Sequence, residues 1–350
     1  MNTNAIYLST SEKIGFISNM STMLAAGIPI LEAVDSLESD AKGNIKLVLQ
    51  ELHADLSEGK LVYSTLDKFP RIFDKVTVSI VKASEEAGTL SQILKDLKES
   101  IKKEAEFSDK IKSALTYPIV IMVIFIGVLL MMLIVVIPKI ATVFSRLPVK
   151  LPLPTQILIG ASNILLHNTL PLLLVLGSIL TLIFLLYRRN RGLLLTPLLS
   201  LPIISNLIRK IDLTRFSHSM YLLLSSGLPI STALLLVQDV VVRKDVLRVI
   251  SQTREIVMSG GKLSEGFKKN KGIAPTIMVK LIEVGDKTGT LDKSMQDVAE
   301  YMEYEVSNQL NTITILLEPI MLVFVGIAVG GMMLAIIAPI YGLIGQVGSR

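Results

Sequence analysis

The chain has 350 residues, of which 51% are hydrophobic and 19% charged, with a mean hydropathy of +0.59 and a net charge of +5. That is too apolar for an ordinary soluble protein and too charged for a wholly embedded one, so the apolar residues must be gathered into a few spans. The lack of cysteine excludes disulfides, thiolate metal sites and cysteine nucleophiles.

Met1 to Tyr7 is mixed in character and has no signal-peptide pattern. Ser9-Thr-Ser-Glu12 then reads as a capping box, a hydroxyl followed three residues later by a carboxylate. Ile14, Ile17, Met20 or Met23, and Leu24 fall on one helical face, Gly27 is placed to cap that helix, and Pro29 to open the next. Ile30, Leu31, Val34 and Leu37 line the second helix; Ile45, Val48, Leu49, Leu52 and Leu56 line a third that stops at Gly59. A short helix near Leu66 and a fifth carrying Phe73, Val76, Ile80 and Val81 follow. The sixth starts near Leu90 and runs through Leu94, Leu97, Ile101 and Ile111 towards an apolar run. Strand patterning is absent.

Ile119 to Ile137 is 19 residues without a polar side chain, bracketed by Pro118 and Pro138. Such a run extends ~28 Å as a helix, close to the thickness of a bilayer's hydrocarbon core. Lys150 to Arg188 encloses 37 uncharged residues. Only Leu170 to Tyr187 is apolar enough to cross; Thr155 to Leu166, with Gln156, Ser162 and Asn163, reads as a short interfacial helix, and a fourth span there is the alternative. A second polar, helical stretch follows. Its helix from Leu291 to Leu310 leads to the last apolar run, Ile320 to Ala338, bracketed by Pro319 and Pro339.

The chain says the same thing twice. Leu24-Ala-Ala-Gly-Ile-Pro-Ile30 returns as Leu224-Ser-Ser-Gly-Leu-Pro-Ile230 at an offset of 200, and Phe16 returns as Phe216. Further on the offset is 201: Gly88-Thr-Leu90 returns as Gly289-Thr-Leu291, Pro118 as Pro319 and Pro138 as Pro339. The reading is an all-α, polytopic membrane protein with two repeated cytoplasmic six-helix bundles and three transmembrane helices. Residues 1–117 form the first bundle, 118–138 the first span, 139–169 an outer loop with an interfacial helix, and 170–187 the second span. Residues 188–318 form the second bundle, 319–340 the third span and 341–350 an outer tail.

Direction follows from the positive-inside rule. Lys and Arg number 14 in residues 1–117, 3 in 139–169, 17 in 188–318 and 1 in the tail. Both bundles are therefore placed in the cytoplasm, with the N-terminus in and the C-terminus out. Residues 1–117 carry 17 Asp and Glu, a balance of −3, and residues 188–318 carry 13, a balance of +4. Neither is basic enough for nucleic acid. Opposite net charges predict packing of the two parts on each other or on neighbouring protomers, weakened by high salt.

The ordered landmarks resemble the inner-membrane platform protein family of type IV pili and type II secretion systems, the PilC/GspF family, over essentially the whole chain. They are Gly27-Ile-Pro-Ile30 with Ser226-Gly-Leu-Pro-Ile230, and Gly285-Asp-Lys-Thr-Gly-Thr-Leu291 with the departing first copy Ser84-Glu-Glu-Ala-Gly-Thr-Leu90. Tyr117-Pro118, Glu318-Pro319 and the outer Leu151-Pro-Leu-Pro-Thr155 complete them. Many members of that family carry a longer N-terminal extension. The resemblance implies a non-enzymatic protein of the bacterial cytoplasmic membrane. Its expected partners are a cytoplasmic secretion or pilus assembly ATPase, a pilin or pseudopilin, other inner-membrane assembly proteins, the lipid bilayer and further copies of itself.

Candidate contact residues have a functional and a structural reading each. Glu85 and Gly88, with Gly285, Asp286 and Gly289, are either a surface for the ATPase or a second copy, or turns whose carboxylate favours a helix N-terminus. Glu318, at the mouth of the last span, either meets a pilin helix or its terminal amine, or sits at headgroup level. Gly326 and Gly330 form a G-x-x-x-G that suits close helix approach, although glycine is common in spans. His53, His167 and His218 lack ligand spacing, and neither Gly59-Lys60 nor Gly261-Lys262 continues as a phosphate loop. No cofactor, metal or catalytic residue is expected, with a metal between acidic residues of neighbouring helices left open. A transporter subunit is the alternative. It needs polar groups near the midplane or interrupted helices, which the first and last spans do not show.

Overall fold

The computed structural model describes residues 6–144, 153–167, 202–270 and 272–347. The second span expected at 170–187, the Arg188 cluster and part of the outer Leu-Pro-Leu-Pro segment lie outside the described residues.

The described residues are helical, with no strand among them. The first repeat comprises α1 (Thr10–Ala25), α2 (Ile30–Asp40), α3 (Asn44–Ser57), α4 (Val62–Asp67), α5 (Lys75–Glu86) and α6 (Leu90–Met131). A π-helical turn at Met132–Val136 leads to α7 (Ile137–Phe144), and α8 (Leu153–His167) stands where the interfacial helix was expected. The second repeat comprises α9 (Pro202–Ser225), α10 (Ile230–Leu236) with a 3-10 turn at Val237–Val240, and α11 (Lys244–Met258). After these come α12 (Leu263–Lys269), α13 (Thr276–Thr288) and α14 (Leu291–Val347).

The local chemistry explains the boundaries. The Ser9–Glu12 capping box closes reciprocally at the start of α1: the Glu12 N–H donates to Ser9 Oγ and the Ser9 N–H to the Glu12 carboxylate. Phe73 falls outside α5, because Asp74 is the cap there and accepts from the Thr77 N–H at 2.7 Å. The prolines that bracket the apolar runs do not end the helices: Pro118 lies inside α6, and Pro319 and Pro339 inside α14, which is 57 residues long.

Two compact units result. One joins Met1–Lys110 to Ser205–Asn308; the other joins Ile111–Ile204 to Gln309–Arg350. The first unit has two hydrophobic cores. One is built from the first repeat alone, around Phe16, Leu52, Phe69 and Phe73. The other gathers Phe216, Met220, Val249, Phe267 and Ile282 of the second repeat, together with Val76, Ile80 and Ile93 of the first. The repeats therefore share a core. Among the described residues three ion pairs cross between them: Glu104 with Arg215 at 3.1 Å, Lys75 with Asp239 at 2.7 Å, and Lys110 with Glu303 at 3.1 Å.

The second unit holds the apolar stretches of α6 and α14, both long and apolar enough to cross a membrane by length and composition. Their side chains are largely uncovered, as with Val123, Ile320 and Ile327. Phe125 and Phe324 meet edge to face at 5.5 Å. At the end of the first apolar run the backbone has a defect with an identifiable cause. In the π turn the Ile137 N–H reaches back to the Met132 carbonyl, so the next bond in that register falls to residue 138 and the Leu133 carbonyl. Residue 138 is proline and has no N–H to give. The buried hydroxyl of Ser162 on α8 donates to the Leu133 carbonyl instead, at 2.6 Å.

Candidate interaction surfaces

The two Glu/Asp-x-x-Gly corners are the sites the repeat singled out. In the first, the Glu85 carboxylate accepts the backbone N–H groups of Val62 at 2.6 Å and Tyr63 at 2.9 Å. It thereby caps the N-terminus of α4 from across the fold, where the free N–H groups favour a carboxylate. Burial pushes the Glu85 pKa above its ordinary value, and these two bonds pull against it. In the second corner Asp286 does the same for α12, accepting the Ser264 N–H at 2.7 Å. Gly88 and Gly289 take the left-handed conformation (φ 70° and 73°) that ends α5 and α13. The carboxylates are thus engaged inside the fold, while the glycine turns stay exposed.

The departure at Ser84 has a packing reason. A Cβ on Gly285 would stand 2.6 Å from Ser294 Oγ and 3.1 Å from the Leu291 backbone, so α13 and α14 touch there. In the first repeat Ile93 replaces Ser294, and its side chain belongs to the core shared with the second repeat. Ser84 sits buried with its hydroxyl turned back to the Val81 carbonyl.

The contact between the repeats also carries polar groups. Ser100 on α6 and His218 on α9 are hydrogen-bonded at 2.7 Å. Burial lowers the His218 pKa; Lys103 pushes it the same way and Glu303 opposes both. Burial also raises the Glu104 pKa, against the pull of Arg215. Beside them is a small cleft of about 110 Å³, lined by Asp96, Glu99, Lys103, Glu300 and Glu303 among others. No group of three or more His, Asp and Glu side chains among the described residues is placed to hold a metal ion.

Glu318, Gly326 and Gly330 lie exposed on α14. A Cβ on either glycine would meet nothing within 4 Å.

Two structural acids escaped the pattern reading. Asp55 is buried on α3 and bonded to Lys60 at 2.9 Å, Lys68 at 2.6 Å and Thr65 at 2.8 Å. Burial works to raise its pKa, yet the three bonds together hold it at about 2. Asp212 is buried on α9 and accepts the N–H groups of Val242 and Arg243 ahead of α11. Asp55 occupies a core-facing position of its helix, a charge in an apolar stripe, and that was the available signal.

The family model for type II secretion system protein F matches this chain twice, over residues 16–138 and 216–339. The chain belongs to that family. The two matches coincide with the two copies read from the sequence. Among its relatives, the type IV pilus assembly protein PilC of Thermus thermophilus is 31% identical, covering 94% of this chain and 82% of the relative. PilC of Pseudomonas aeruginosa is 28% identical, covering 95% and 90%. The type II secretion system protein F of Aeromonas hydrophila is 27% identical, covering 96% and 87%. Members of the family are thus named for both machines, and this chain is a platform protein of the type they share.

Proposed function

We propose that this chain is the non-enzymatic platform of a type IV pilus or type II secretion-like machine. In this reading it couples a cytoplasmic assembly ATPase to the extraction and polymerisation of pilin or pseudopilin subunits. The observation that carries it is the doubled family match laid over two helices, α6 and α14, each running from a polar stretch into an apolar one.

The finer reading is as follows. Three transmembrane helices cross the inner membrane, the second being residues 170–187, and the two repeats face the cytoplasm with the C-terminus outside. The proposed partners are the ATPase, the pilin or pseudopilin, other inner-membrane assembly proteins and further copies of the chain. Within the bilayer, Glu318, Gly326 and Gly330 are the proposed contacts; their open face supports this. At the cytoplasmic corners the proposed contacts run through Gly88 and Gly289 and their turns. Glu85, Asp286 and Gly285 shape those turns from inside.

Deleting the gene from its host tests the reading. Pilin or pseudopilin should persist in the inner membrane while fibres or secretion are lost, and the wild-type copy should restore them. Normal fibres and secretion in the deletion strain would reject the proposal.

A further inference from the structure

The contact between the repeats has two sides, and each side recurs, unoccupied, on the other repeat. The inserted side in the first repeat is α5, whose Val76 and Ile80 are only 5% and 1% exposed because they enter the second repeat's core. The receiving side is the α9–α10 edge, where Ser219, Leu222 and Val240 line the cleft that also holds Val76 and Ile80.

At the offset of 201, Val76 and Ile80 correspond to Ile277 and Leu281 on α13. There Ile277 is 40% exposed and Val284, one turn beyond Leu281, is 55% exposed, while Leu281 between them is half-buried at the margin of the second repeat's own core. At the offset of 200, Ser219, Leu222 and Val240 correspond to Asn19, Thr22 and Asp40. Those three line an open groove of about 540 Å³ between α1 and α2. The second repeat thus presents the helix face that the first inserts, and the first presents the groove that the second fills.

We infer that α13 of one copy of this chain docks into the α1–α2 groove of a second copy, repeating between chains the contact made within each chain. Such a contact is heterologous and generates a ring or an open array rather than a closed two-fold pair. The groove is more polar than its filled counterpart, with Thr22 for Leu222 and Asp40 for Val240, so the contact between chains is the weaker one. Charge fits the same partners. Helix α2 carries Glu32, Asp35, Glu38 and Asp40 and no basic residue, while Lys280 is exposed beside Ile277 on α13. This inference rests on the self-association part of the proposed function and on no other part of it.

The cysteine-free chain gives a direct test, in its native membrane and at full length. Thr22→Cys with Leu281→Cys in one chain should give, on oxidation, a ladder of crosslinked species. Either substitution alone should give none, and adding Ile277→Glu or high salt should abolish the ladder. Ile80→Cys with Leu222→Cys reports the contact inside the chain; it should crosslink within one protomer and persist in the Ile277→Glu background. Dimers from Leu281→Cys alone would overturn the inference in favour of a two-fold contact. No ladder while the internal crosslink forms would overturn it outright. A ladder from a chain that captures neither ATPase nor pilin would leave the inference standing and reject the platform reading.

Discussion

The two repeats use one helix plan to solve different packing problems. In the first, α5 is buried on two sides, by its own core and by the second repeat. In the second, the equivalent α13 is buried on one side, and its outer face keeps its apolar residues in the open. The first repeat takes its polar core contacts from a buried carboxylate, Asp55, held by two lysines and a threonine. Its equivalent in the second is Ile256. Duplication preserved the capping carboxylates and the glycine turns, which each copy needs to fold. The receiving side of the contact differs, with Thr22 and Asp40 in the first copy where the second has Leu222 and Val240, because a chain has only one internal interface and two ends.

That comparison can be broken at specific residues. The largest effect is expected at Gly285. Gly285→Val forces α13 from α14 and should destabilise the second repeat by about 3 kcal/mol, whereas Ser84→Ala at the equivalent site should cost less than about 1 kcal/mol. Thermal unfolding of the purified protein in mild detergent measures both; equal losses would refute the asymmetry.

Asp55→Asn comes next, at about 2 kcal/mol. The folded pKa, about 2, lies below the ordinary 3.8. Its stabilisation is therefore complete above about pH 4 and is lost as pH falls from there towards 2. Wild type should show this acid limb and the variant should lack most of it; identical acid profiles would remove Asp55 from the account.

Ser162→Ala strips the Leu133 carbonyl of its hydroxyl donor and should cost about 1–2 kcal/mol. Ser162→Thr, which keeps a hydroxyl, should recover part of that loss in the same assay. No difference between Ala and Thr would mean that the carbonyl finds another donor.

A smaller effect belongs to His218. Its folded pKa is lowered mainly by burial, so the neutral ring's contribution is present above the ordinary value of 6.5 and fades as pH falls below it. The internal crosslink between positions 80 and 222 should form more slowly at pH 5.5 than at pH 7.5, a pH range set around that ordinary value of about 6.5. His218→Gln should remove this pH dependence. Smallest of all is Lys75→Ala: the Lys75–Asp239 pair is solvent-exposed and screened, so thermal unfolding of the variant should be indistinguishable from wild type.

Much of this was legible in the sequence. The capping box at Ser9, the helix ends at Gly27, Gly59, Gly88 and Gly289, and the apolar runs follow from short-range chemistry that a pattern exposes. The turn reading of Glu85 and Asp286 was also legible, because a carboxylate placed before a turn favours free N–H groups. Which helix each one caps was not, since α4 lies more than twenty residues away in sequence. Helix continuity through Pro118 and Pro319 was hidden too, because a proline removes one bond and a long apolar helix tolerates that loss. The net charges of the two repeats suggested attraction, yet two of the three ion pairs between them run from a first-repeat lysine to a second-repeat acid, against that balance. Local juxtaposition, which net charge averages away, decides those contacts. The shared core was invisible because Val76 and Ile80 have the same apolar character as Ile277 and Leu281; only their surroundings differ.

The most direct test of the platform account is affinity capture of the tagged full-length chain from its native membrane in mild detergent, followed by mass spectrometry. The account predicts recovery of a secretion or pilus assembly ATPase together with a pilin or pseudopilin, whose type would assign the machine. Capture of neither, from membranes shown to contain both, would contradict it.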